Sequence, residues 1–198
     1  MRKKIGISCI VLGLACLLVA VGFVLYNNRE AKQGETAAQT ILQAVQENIV
    51  EAEQLPEETA VAETEPTEML TVPVGDYESL GILSIPVLEL ELPVLTDWSY
   101  AKLKYAPCHY SGSYLEKDFV IAAHNFPAHF GKLSQLHPGD LVLFTDVTGT
   151  VRCYEVVLLE TLAPTAIEEM ISSGFDLSLY TCTPGGSSRV TVRCRLKA

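Results

Sequence analysis

The feature that most constrains this chain is an apolar run from Ile5 to Tyr26, preceded by Arg2, Lys3 and Lys4. Twenty-two helical residues at ~1.5 Å each are long enough for the ~30 Å hydrocarbon layer of a bilayer. A cleaved signal peptide carries a shorter apolar region, ~7 to 15 residues, followed by a small-x-small site, so the run reads as an anchor. Three positive charges before it, and Arg29 offset by Glu30 after it, put residues 1–4 in the cytoplasm and everything beyond Tyr26 outside the cell. Whatever follows must therefore fold as a tethered extracellular unit.

Composition narrows what that unit can be. With 198 residues, less the anchor and a polar linker, one domain of ordinary size remains. A net charge of -10, with no Lys/Arg cluster beyond the first four residues, excludes a nucleic-acid partner, because nothing could neutralise a run of phosphates. Much of the acidity is local, since residues 51–75 hold seven Glu and neither Lys nor Arg. That segment, with Pro56, Pro66 and Pro73, has too few large apolar groups to fold and is expected to be an extended tether. Before it, Ala38, Ile41, Leu42, Val45 and Ile49 recur at helical spacing, which predicts an amphipathic stalk helix over residues 31–50. Cytoplasmic N-terminus (1–4), anchor (5–26), stalk and linker (27–75) and a folded domain (76–198) are the expected divisions.

From Tyr77 onward the pattern turns to short strand-like runs: 80–85, 88–95, 119–123, 141–145, 151–160, 177–182 and 189–196. Pro86, Pro138-Gly139, Gly149 and Pro184-Gly185-Gly186 separate several of them. The expected fold class is all-β with one or two short helices, closed as a barrel or packed as a sandwich. One helix is predicted after Thr165, where Thr165-Ala-Ile-Glu168 has the form of a capping box, and Gly174 should end it.

Alternation along the last two strands locates a candidate site. Val190, Val192, Cys194 and Leu196 share one face and should be core, while Arg189, Thr191, Arg193 and Arg195 share the other and should be outside. In the preceding strand Leu177 and Leu179 point inward, so Ser178, Tyr180 and Cys182 point outward. Cys182 then ends one strand and Arg189 begins the next on the same face, across a Pro-Gly-Gly turn. A thiolate that attacks a peptide carbonyl creates an oxyanion, and a preorganised cation beside it lowers the barrier. The third group is His124, delivered at the end of the apolar strand Phe119-Val-Ile-Ala-Ala-His124, where a general acid or base is useful.

The strand ending in His124, the segment Leu179-Tyr-Thr181-Cys182-Thr-Pro followed by Arg189, the opening Leu80-Gly-Ile-Leu-Ser-Ile-Pro86 and the stretch Ala106-Pro-Cys-His-Tyr-Ser-Gly112 together resemble the sortase family of Gram-positive surface transpeptidases. The resemblance covers about residues 79–197. It implies a closed β-barrel of about eight strands with an external groove, Cys182 as nucleophile, His124 as catalytic histidine and Arg189 as the following arginine. Thr181, beside the nucleophile, is expected to contact substrate. Two departures stand out: Ala123 replaces a common glycine, and the gap from Cys182 to Arg189 is short, which leaves Arg193 as a second contender. By the same resemblance the substrate is a surface protein with a Leu-Pro-x-Thr-Gly-like sorting signal, and the acyl acceptor is an amine of a cell-wall precursor or a pilin subunit. No metal or organic cofactor is required, although some relatives use Ca²⁺. Neither a lid before the barrel nor a second span, features of pilus-type relatives, is expected.

The remaining cysteines and histidines have simpler expectations. Cys108, Cys153 and Cys194 leave disulfides open. His109 is expected to be structural, and His129 and His137 solvated. A zinc set of Cys108, His109, His124 and Cys182 lacks the usual ligand spacing. The rival of another class is a non-catalytic surface adhesion or assembly module on the same stalk, which needs no reactive thiol.

Overall fold

The computed structural model describes residues 2–54 and 68–197. Anchor and stalk, expected as separate pieces, form one continuous helix α1, Arg2–Gln54. No proline falls within it, so nothing removes a backbone donor or forces a break. Its N-terminal part is long and apolar enough to cross a membrane, with a mean hydropathy of 2.4 and no buried residue in the most apolar stretch. The amphipathic stripe beyond it has a partner: Ala38, Ile41, Val45 and Ile49 are all buried against the β-domain. Residues 55–67, the bulk of the expected tether, lie outside the described residues, whereas Val72–Val74 forms strand β1.

The β-domain is a barrel closed on itself. Strands β2 (Tyr77–Ile85), β3 (Leu90–Leu95), β4 (Cys108–Ser111), β5 (Phe119–Ala122), β6 (Leu141–Asp146), β7 (Val151–Leu162), β8 (Leu177–Cys182) and β9 (Arg189–Leu196) run in the order β2-β3-β4-β5-β8-β9-β7-β6. Pairing of β2 with β6 closes these eight strands, and β1 adds an outer strand to β2. Closure leaves no open edge on the eight. At the closing seam Gly81 has φ 144, and a Cβ there would lie 2.0 Å from the Thr145 carbonyl oxygen, so only glycine lets β2 and β6 approach.

The barrel interior is filled by large apolar groups from every side. Phe119, Tyr114 and Phe144 meet with ring centroids 5.1 to 5.6 Å apart, and Leu83, Ile121, Leu177, Leu179 and Val192 surround them. A second cluster lies where Ile41, Val45 and Ile49 of α1 cover Ile82, Leu95, Leu103 and Ala122. Strand β5 is buried along its whole length, because β4 and β8 flank it, Phe119 and Ile121 face the barrel interior, and Ala122 lies in the cluster under α1.

Two expectations about the outer face fail for one reason. Ser178, Thr191 and Arg193, placed outside by alternation, are buried, with Arg193 1% exposed. Helix α2 (Ile167–Ile171) lies over that part of the sheet, and the Arg193 guanidinium bolts it to β8 and to β7, the neighbour of β9. Its Nε donates to Glu160 at 2.7 Å, and Nη1 donates to the Ser178 hydroxyl at 2.8 Å and the Met170 carbonyl at 3.3 Å. The expected capping box does not form: Ala166 is the N-cap, with no side-chain cap.

Candidate active site

Parallel pairing of β5 and β8 sets the site. Ala122 stands opposite Tyr180, so His124 and Cys182 both lie two residues past a paired position, at the same end of neighbouring strands ~4.8 Å apart. Two bonds carry the register past the end of β5. The Ala123 N–H donates to the Tyr180 carbonyl at 3.2 Å, and the Thr181 hydroxyl donates to the Ala123 carbonyl at 2.8 Å. Thr181, expected to contact substrate, is 3% exposed, and its side chain faces inward and fixes the backbone that carries His124. Beyond the strand, the Phe130 N–H donates to the His124 carbonyl at 3.1 Å, and the imidazole packs on Phe126 with centroids 4.9 Å apart.

On the other side of Cys182, antiparallel pairing places Arg189 directly opposite it, the last register pair of β8 and β9. The connecting turn is tied by the Thr183 N–H to the Ser188 carbonyl at 3.0 Å and the Gly186 N–H to the Thr183 carbonyl at 2.8 Å. Arg189 Nη1 donates to the Gly186 and Ser188 carbonyls, both at 3.1 Å. That leaves Nε and Nη2 without a bonded partner among the described residues. The short spacing between Cys182 and Arg189 is therefore what a tight hairpin requires.

His124, Cys182 and Arg189 line one cleft of about 190 Å³. One wall is Pro164, Ile167 and Met170, from the β7–α2 connection and α2. The other is aromatic. Trp98 packs on Tyr110 at 5.5 Å and on Tyr100 at 5.3 Å, and Tyr110 packs edge-on against Tyr180 at 5.4 Å. The sequence reasoning missed this wall, although the Trp-Ser-Tyr of residues 98–100 in a segment without strand pattern was a visible signal.

Burial separates the thiols. Cys194 lies inside the barrel and Cys108 in the cluster beneath α1, and loss of solvation pushes both thiols up to about 12. Cys153 on β7 does not line the cleft. All four domain cysteines are free, and only Cys182 combines partial exposure with a histidine and an arginine in the same cleft. Burial also lowers the His124 pKa below the ordinary 6.5 of histidine; Glu30 of α1 opposes this and Lys104 adds to it. His109 is structural, as expected, with its ring nitrogens 3.0 and 2.8 Å from the Thr96 and Gly112 carbonyls. His137 is exposed. His129, expected to be solvated, is fully buried between the His124 loop and α1, and among the described residues neither ring nitrogen has a hydrogen-bond partner of full geometry, the Gly34 backbone being the group that comes near. Burial pushes its pKa down to about 4, with the Gly34 carbonyl of α1 opposing and His124 reinforcing.

Comparison with known proteins agrees with this geometry. A sortase domain family matches residues 83–197, more than half of the chain. Sortase C1 from Streptococcus suis is similar in structure, with a TM-score of 0.55 and 27% identity over 61% of this chain and 73% of that one. A Clostridium perfringens sortase D5 transpeptidase gives 0.61 and 18% identity over 82% and 99% of the two chains. Sortase A from Corynebacterium diphtheriae gives 0.57 and 18% over 90% and 95%. No curated protein matches. Given the closed eight-stranded barrel, the cleft and the family match, this chain belongs to the sortase family.

Proposed function

We propose that the protein is a membrane-anchored cysteine transpeptidase working outside the cell, which cleaves a Leu-Pro-x-Thr-Gly-like sorting signal of secreted surface proteins and joins the acyl part to an amine. The observation that carries this reading is the meeting of Cys182, His124 and Arg189 in one cleft. The Cys182 thiolate attacks the carbonyl carbon of the threonine in the signal. Arg189, through Nε and Nη2, stabilises the negative charge that develops on the oxygen. His124 protonates the departing amine, and a thioester on Cys182 remains. An amine of a cell-wall precursor or pilin subunit then adds to the thioester while His124 takes its proton. The half-buried, aromatic-walled cleft suits the apolar part of such a signal. The charges flanking the apolar run support an orientation with residues 1–4 in the cytoplasm.

The test is turnover of a fluorogenic sorting-signal peptide with an amine acceptor by the full chain and by Cys182→Ala. Loss of all turnover in the variant is expected. Turnover that survives the substitution would leave the non-catalytic or some other reading in its place.

A further inference from the structure

The connection between β3 and β4 presents aromatic side chains that the barrel does not bury. Its foot is Leu103, buried in the cluster under α1. The Leu103 N–H donates to the Ser99 carbonyl at 2.9 Å and the Tyr105 N–H to the Lys102 carbonyl at 2.8 Å, so the segment is a stiff turn rather than a loose loop. Trp98, Tyr100 and Tyr105 stand outside that foot, with Tyr100 75% exposed. The catalytic cleft accounts for only part of this surface, since Tyr105 does not line it. The charges of the connection are all paired: Lys102 with Asp97 and Lys104 with Glu30, both at 2.8 Å.

Helix α1 fixes where this aromatic surface stands along its axis. A Cβ on Gly34 would lie 2.6 Å from the Lys104 carbonyl oxygen, and the Lys104 ammonium reaches back to Glu30. Lys104 and Tyr105 then close a hollow of about 330 Å³ with Tyr26, the last residue of the apolar run. Glu30 is one helical turn, ~6 Å, beyond Tyr26. A bilayer of ~40 to 45 Å with a ~30 Å hydrocarbon core has headgroup zones of about that depth on each side.

We propose that Trp98, Tyr100 and Tyr105 enter the headgroup zone of the outer leaflet, so that the domain rests on the bilayer through this connection as well as through α1. The inference goes beyond the transpeptidase reading and rests on residues 5–26 being a membrane span. Trp and Tyr rings combine an apolar body with one polar end, which is the chemistry that collects where hydrocarbon meets water. The paired lysines leave no cation for an anionic headgroup to select, so the partner is the interface itself, of a zwitterionic bilayer as much as of a charged one. Trp98 and Tyr100 also form one wall of the catalytic cleft, and the contact therefore turns that wall toward lipid.

Trp98 is the only tryptophan of the chain, so its fluorescence reports on this connection alone. The experiment places the full chain in nanodiscs of phosphatidylcholine carrying a nitroxide either on the headgroup or deep in the acyl chain, and in matching discs with added phosphatidylglycerol. A second chain, Trp98→Phe with Leu25→Trp, moves the reporter to an exposed position of the span. The expected result is at least 2-fold quenching of Trp98 by the headgroup nitroxide, weaker quenching by the deep one, and the same ratio with and without phosphatidylglycerol. Tyr100→Asp combined with Tyr105→Asp should lower the headgroup quenching at least 2-fold. Trp98 quenched by neither nitroxide, while the reporter at position 25 is quenched, overturns the surface and leaves the span standing. Neither reporter quenched removes the span and this inference with it. Quenching that appears only with phosphatidylglycerol gives the contact to lipid charge and overturns the aromatic account, and unaltered quenching in the double aspartate variant removes Tyr100 and Tyr105 from it.

Discussion

Arg189 and Arg193 share a strand face four residues apart, yet their surroundings assign them different tasks. Arg193 is 1% exposed and satisfied by a carboxylate, a hydroxyl and backbone carbonyls, whereas Arg189 lies half-exposed in the cleft opposite Cys182. Arg189→Lys should therefore lower kcat about 100-fold with little change in Tm, as loss of an oxyanion donor does. Arg193→Lys should instead cost roughly 3 kcal/mol of stability, because Glu160 and the Ser178 hydroxyl lose a planar partner that lysine cannot replace. Kinetics and thermal unfolding of both variants check this, and the reverse pattern would move the oxyanion role to Arg193. His129 makes a separate prediction about pH. Its folded pKa of about 4 lies below the ordinary 6.5, so between those values the unfolded chain binds the extra proton. Stability from this residue is then complete above pH 6.5 and is lost as pH falls toward 4, by up to about 3 kcal/mol. In His129→Phe the slope of unfolding free energy across that window should flatten; an unchanged slope would assign it to other groups.

At the scale of elements, docking of α1 is the contact most open to a single substitution. Gly34→Val puts a branched side chain where a Cβ already meets the Lys104 carbonyl oxygen at 2.6 Å. Hydrogen exchange of residues 27–50 should accelerate at least 10-fold in that variant, while β5, β8 and β9 keep their protection. Equal protection everywhere would mean that α1 is held by its Ile41, Val45 and Ile49 stripe alone. The same helix shows what sequence pattern reveals and what it omits. The stripe from Ala38 to Ile49 was visible at helical spacing, but periodicity identifies an apolar face and not the surface that covers it. Strands β8 and β9 were legible to both ends because alternation and the Pro-Gly-Gly turn agree, and with them came the Cys182–Arg189 pair. Burial of Ser178, Thr191 and Arg193 was not legible, since it depends on α2 folding over the outer face from a distance in sequence. β4 was missed for a related reason. Its four residues, Cys108–Ser111, are too short to show a period, and only pairing with β5 makes them a strand. Likewise His129 lies in a polar stretch, and nothing local signals that α1 will cover it.

For the whole molecule, closure of the barrel by β2 and β6 and the parallel alignment of β5 with β8 bring the end of β5 and the β8–β9 hairpin to one end, where His124, Cys182 and Arg189 meet. A continuous α1 runs from the apolar stretch to that end of the domain, where Glu30 pairs with Lys104. The most direct test of this account is intact-mass and peptide-level mass spectrometry of the full chain, quenched with acid during reaction with a sorting-signal peptide. The account predicts a mass increase equal to the acyl part of the peptide, located on Cys182, prolonged when His124 is replaced by alanine after the thioester has formed slowly, and absent from Cys182→Ala. An adduct located on Cys153, or one that persists in Cys182→Ala, would contradict it.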